Sequence, residues 1–249
     1  MKRLLNTLYV TTQGSYLHRE GETVEVTQDG EIKLRVPIHT LQGIVCFGQV
    51  SMSPPLMGLC AERQVMVSFL SRNGNFLARV EGPVSGNVLL RREQYRRADA
   101  PEMAEEIAKA VVTAKINNCR VVLQRTLREH PDADGAQELA DSIDHLTGTL
   151  KSLENVNTLD SVRGLEGEAA GNYFSVFNHL ILAQKEDFFF KERSRRPPLD
   201  NVNAMLSFLY TILSHDVTSA LETVGLDPSV GFLHRDRPGR RGRLSYIKT

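Results

Sequence analysis

Residues 65–83 read Val65-Met-Val-Ser-Phe-Leu-Ser-Arg-Asn-Gly-Asn-Phe-Leu-Ala-Arg-Val-Glu-Gly-Pro83, and the character of the chain changes at the end of this stretch. Two β-prone runs, 65–70 and 76–80, flank Asn73-Gly74, a dipeptide that readily supplies the positive φ of a hairpin turn. Further short β-prone runs lie upstream at 4–11, 16–19, 23–27, 32–37 and 43–47, and Asp29-Gly30 marks a second hairpin. Strands this short and this regularly spaced predict a small sandwich or curled sheet. The stretch starting Ser53-Pro-Pro-Leu predicts one helix inserted among them, with Ser53 as N-cap and proline in the first turn.

Beyond Gly82-Pro83 the apolar residues recur at helical period. Met103, Ile107, Val111, Ala114, Val121 and Val122 fall near one face of a helix expected over 101–129. Further helices are expected at about 135–154, 162–191 and 201–224, with Pro197-Pro198 separating the last two. The fold class expected is therefore α+β: a β-rich N-terminal domain (1–90), a linker (91–100) and an all-α domain (101–240), followed by a tail (241–249).

The 249 residues carry 30 basic and 30 acidic side chains, a formal charge of zero. The balance is uneven: residues 234–249 hold six basic groups and one acidic one, so a basic surface for a polyanion is compatible with the neutral total. Cys46, Cys60 and Cys119 lack the spacing of a disulfide framework or a zinc site. No apolar run reaches the ~18 residues of a membrane span, so the expectation is a reduced, cytoplasmic protein with no membrane partner. P-loop, Rossmann, zincin and nucleophile-elbow signatures are all missing, which removes support from the corresponding enzyme classes.

Two clusters remain. In the first, Arg163-Gly-Leu-Glu-Gly-Glu-Ala-Ala-Gly-Asn-Tyr-Phe, the small residues cost helix propensity, which close approach by a backbone, helix or ligand usually offsets. Glu166 sits at the border of a stripe formed by Leu165, Ala169, Tyr173, Val176 and Leu180. It reads either as a carboxylate aimed into a cleft or as a solvated glutamate on a tightly packed helix. The second, running from Gly225 to Arg240, places His234 after an apolar run and beside Arg235, Arg237 and Arg240. The imidazole is either a metal ligand or proton carrier facing phosphate, or a structural histidine beside a solvated basic segment. Arg193, Arg195 and Arg196 are open to the same two readings, as a phosphate track or as a solvated linker.

Taken with Leu41-Gln-Gly-Ile-Val-Cys-Phe-Gly, Gly82-Pro-Val-Ser-Gly-Asn-Val-Leu-Leu-Arg-Arg and Asn201-Val-Asn-Ala-Met-Leu-Ser-Phe-Leu-Tyr, the two clusters resemble, in order over residues 1 to about 239, the CRISPR adaptation integrase. This is the universal metal-dependent CRISPR-associated endonuclease that inserts new spacers, and the subtype I-C branch is the most similar. The resemblance implies a β-rich domain that forms a homodimer and a helical catalytic domain. It implies that Glu166 and His234 are catalytic and ligate Mg²⁺ or Mn²⁺, and that Arg193, Arg195, Arg196, Arg235, Arg237 and Arg240 bind DNA. The implied partners are double-stranded and branched DNA and the second universal adaptation protein. Where the family carries acidic residues beyond the histidine, this sequence has Tyr246 and Thr249. The expectation is thus a C-terminally truncated or frame-shifted chain with a foreign tail, impaired by loss of the third ligand. The alternative is a non-catalytic DNA-binding or assembly subunit.

Overall fold

A computed structural model describes residues 6–82, 88–132, 134–195 and 197–234. The chain divides into two compact units, Met1–Asn87 with His215–Gly225, and Val88–Ser214 with Leu226–Thr249.

The first unit holds two four-stranded sheets. In one, β1 (Asn6–Val10), β5 (Leu41–Phe47) and β7 (Met66–Leu70) run parallel, and β8 (Phe76–Val80) closes the edge antiparallel to β7. The other has the order β4 (Glu31–Pro37), β3 (Thr23–Gln28), β2 (Tyr16–Glu20) and β6 (Ser51–Met52). Both hairpins form where the dipeptides place them. Asp29 and Gly30 take φ 52° and 81° between β3 and β4, the conformation of a two-residue turn whose twist matches the strands. The parallel pairings carry no such local signature and depend on crossovers. Helix α1 (Pro54–Glu62) starts as expected, with the Ser53 side chain accepting from the Leu56 amide. Leu56 and Leu59 join Leu17, Val24, Ile38, Ile44 and Val67 in one core.

In the second unit, residues 91–100, expected as a linker, are helical up to Asp99: α2 spans Val88–Asp99 and α3 follows over Pro101–Glu129. The remaining helices are α4 (Ala136–Glu154), α5 (Leu159–Ser175) and α6 (Asn201–Thr223). The third expected helix, 162–191, ends sixteen residues early, at Ser175. Ser175 Oγ donates to the Asn172 carbonyl, and the Asn178 side chain accepts from the Phe190 amide, so local polar groups take the place of helix bonds. Phe174, Phe177 and Phe190 then cluster, Phe174 stacked on Phe190, where a single 3₁₀ turn begins at Phe177.

The buried face of α3 is also rotated from the expected one. Ala104, Ala108, Val112, Ile116 and Leu123 are inside, whereas Met103, Val121 and Val122 are exposed. Spaced by four residues from Ala104 to Ile116, this face is the one that packs against α4 and α5. Leu139, Leu146 and Leu153 of α4 and Val162 and Ala169 of α5 complete this core. At the start of α4, Gly135 has φ 87°, and a Cβ there would collide with the His179 ring.

Leu146 is fully buried in the helical core. Leu146→Ala is expected to lower unfolding free energy by about 2–5 kcal/mol, measured by urea denaturation followed by far-ultraviolet circular dichroism.

Candidate active site

Helix α5 opens with the Thr158 side chain accepting from the Ser161 amide. Its buried positions are Val162, Glu166 and Ala169, a four-then-three spacing that places the carboxylate in the middle of the inward face rather than at its border. Glu166 is 8% exposed. A charge at that depth requires a partner, and α3 supplies it: Lys115 Nζ donates to Glu166 Oε1 over 2.7 Å. Lys115 lies on α3 between the buried Val112 and Ile116, so its stem leaves an apolar face and its ammonium reaches the cleft.

The cleft around the pair is walled by Ala108, Val112, Phe232 and Leu233. His234 directly follows Leu233, and its Nε2 is buried without a hydrogen-bond partner. The polypeptide thus returns, sixty-six and sixty-seven positions after Glu166, to the wall of the cleft that holds it. Among the described residues, no group of three His, Cys, Asp or Glu is placed to hold a metal.

The segment carrying His234 is fastened to α2. Gln94 Nε2 donates to the Asp227 carbonyl and the Asp227 amide donates to Gln94 Oε1, each over 2.8 Å, a reciprocal clamp on a side chain only 5% exposed. Tyr95 Oη donates to Asp227 Oδ2 over 2.5 Å, and the Ser229 amide donates to Asp227 Oδ1. Burial opposes ionisation of Asp227, but the bonds from Tyr95 and Ser229, with Arg91 nearby, hold its carboxyl below the usual range. The same bond, with burial, raises the Tyr95 phenol. Leu233, itself buried in the helical core, anchors the far end of the segment.

The small residues of α5 play a different part from the one expected. Gly164, Gly167 and Gly171 are exposed, away from the inward face, and a Cβ at any of them would meet nothing within 4 Å. The arginines divide as well. Arg193 is half-buried: one Nη1 donates to Asn203 Oδ1 and the Ser194 carbonyl, and its guanidinium lies over the Tyr210 ring. Asn203, fully buried, also bonds Ser194, Asp200 and Glu192, so Arg193 belongs to the knot at the start of α6. Arg195 is exposed. Arg196, Arg235, Arg237, Arg240, Tyr246 and Thr249 lie outside the described residues. Lys115, Gln94 and Asp227 escaped the sequence reading. Only Lys115 left a trace there, as a cation at helical spacing from Ala108, Val112 and Cys119.

Two β-sheets leading into a helical unit with an internal carboxylate define a Cas1-like architecture. A solved Cas1 protein from Thermotoga maritima superposes with a TM-score of 0.76 at 23% identity, over 95% of this chain and 72% of that one. A chain of a Cas6-RT-Cas1–Cas2 complex gives 0.75 at 24% identity, over 99% of this chain and 26% of that one. The family model described as CRISPR associated protein Cas1 matches residues 8–243. CRISPR-associated endonuclease Cas1 1 of Chlorobaculum tepidum is 53% identical over 240 residues, which are 96% of this chain and 70% of that one. The chain belongs to the CRISPR-associated Cas1 family. No helix among the described residues is long and apolar enough to cross a membrane.

Because Asp227 is held below its ordinary value, its contribution to stability is complete above the unfolded range and is lost as pH falls through the folded value. Asp227→Asn is expected to flatten the fall in melting temperature below about pH 4, measured by thermal denaturation across an acid pH series.

Proposed function

We propose that this chain is a CRISPR adaptation integrase and endonuclease, acting on double-stranded and branched DNA with Glu166 and His234 as its catalytic metal ligands. The observation that carries this reading is a buried carboxylate facing a cleft whose wall continues directly into a histidine with an unpartnered ring nitrogen. One oxygen donor and one imidazole nitrogen suit Mg²⁺ or Mn²⁺, and the Lys115 ammonium at Glu166 marks the position as one that accepts a cation.

When bound, the metal would supply Lewis-acid polarisation of a scissile phosphate. Glu166 would fix its position from the rigid face of α5, and His234 would complete the donor pair from the clamped segment. Attack by a DNA 3′-hydroxyl exchanges one phosphodiester for another, and attack by water cleaves the strand. Arg195, exposed beside the α6 knot, would take DNA phosphate, as would Arg196, Arg235, Arg237 and Arg240. Arg193 would instead hold that knot in shape. The side chains of Tyr246 and Thr249 offer no carboxylate, so we place metal affinity and turnover below those of a site with a third acidic ligand.

The homodimer would form through the β-rich unit, whose edge strand β4 leaves Ile32 and Leu34 exposed. A protein related to Cas2 would join it, and the assembly would work in the cytoplasm with its DNA. The engagement of Glu166 by Lys115 favours one other reading, a non-catalytic DNA-binding and assembly subunit.

Incubation with branched DNA and Mn²⁺ separates the two readings. The catalytic one expects strand cleavage or joining that falls by about 100-fold or more in Glu166→Ala, at least the cost of losing a supporting group at a metal site. DNA binding with no cleavage at any Mn²⁺ concentration would establish the assembly reading.

A further inference from the structure

We propose that Lys115 is the resident cation of the Glu166 site, holding the carboxylate before a divalent metal enters and setting the affinity by having to yield to it. This inference rests on the metal reading above and adds a positioning residue to it.

Glu166 is 8% exposed, and its ion pair is with Lys115 at 2.7 Å. The neighbouring wall, built from Ala108, Val112, Phe232 and Leu233, contributes no charge. In such surroundings an unpaired carboxylate is costly, and the ammonium offsets that cost. The Lys115 side chain nevertheless keeps 29% of its surface exposed, so it can withdraw to water along its flexible stem. A divalent cation arriving at the same carboxylate would stand within a few ångströms of that ammonium, and like charges at such range repel strongly where water is scarce. Metal entry and departure of the ammonium are therefore coupled. Other lysine pairs, Lys33–Glu31 and Lys109–Glu105, join near neighbours along one element and carry no such consequence.

The test is Mn²⁺ binding by the full 249-residue chain, read by calorimetry and by loss of the free-Mn²⁺ paramagnetic signal, at about pH 8, where carboxylates are ionised. Lys115→Met, similar in length and uncharged, is expected to bind Mn²⁺ about tenfold more tightly than wild type, the scale of one like-charge neighbour. It should also show a larger Mn²⁺-induced rise in melting temperature. Lys115→Gln keeps a donor for Oε1 and should shift in the same direction, which covers failure of the methionine variant to fold. Lys115→Arg, retaining the charge, should not tighten binding. Glu166→Gln reports on the metal reading itself. If Glu166→Gln abolishes binding while the uncharged Lys115 variants leave it unchanged or weaker, the role of Lys115 is overturned and the metal site stands. Wild-type affinity in Glu166→Gln, or no binding by any of the chains, would overturn both.

Discussion

A carboxylate on the inward face of a helix is the constraint around which the helical unit is arranged. Glu166 takes a place that Val162 and Ala169 would otherwise continue as apolar packing. A buried ionised group is tolerated only when a partner offsets the loss of water, and a lysine on an adjacent helix provides that partner. The pair ties α3 to α5 at this level, since the buried carboxylate would be costly without the ammonium. Replacing both with apolar residues of the same volume would stabilise many proteins as well or better. A charged pair beside a cleft therefore has no packing advantage to explain it.

The second element of the site reaches the cleft by a different route. Residues 226–234 have little regular structure of their own, yet they are fastened at both ends. Gln94 exchanges two backbone bonds with Asp227, and Leu233 is inserted in the core. A loop held in this way has little conformational freedom left to lose, and His234 at its end shares that constraint. Arg193 and Asn203 do comparable work at the start of α6, where one asparagine satisfies five polar partners.

Much of the fold was legible because its signals are local. Asp29-Gly30 sets its turn through backbone conformation alone, Gly74 gives the second turn its positive φ, and Ser53 and Pro54 start α1 through one side-chain bond and a preset φ. Legibility failed where a choice depended on a distant partner. The stretch 91–100 resembled a charged linker, but it forms a helix whose Gln94 is buried against a loop 133 residues away. Residues 176–191 continue the helical period, but an asparagine and an aromatic cluster hold them in another course. On α3 two adjoining apolar faces were open to the sequence, and packing against neighbouring helices selected the one through Val112, Ile116 and Leu123.

By itself the sequence determined the order of β-rich and helical parts, most turns, the main helix starts and the family resemblance, since each is encoded in neighbouring residues or in an ordered set of short motifs. It also singled out Glu166 and His234 as candidates. The depth of Glu166, its pairing with Lys115, the clamp of Gln94 on Asp227 and the withdrawal of Arg193 into a knot were decided only in three dimensions. Burial and electrostatic partnership are properties of the assembled core, and no residue carries them along the chain before its neighbours are in place.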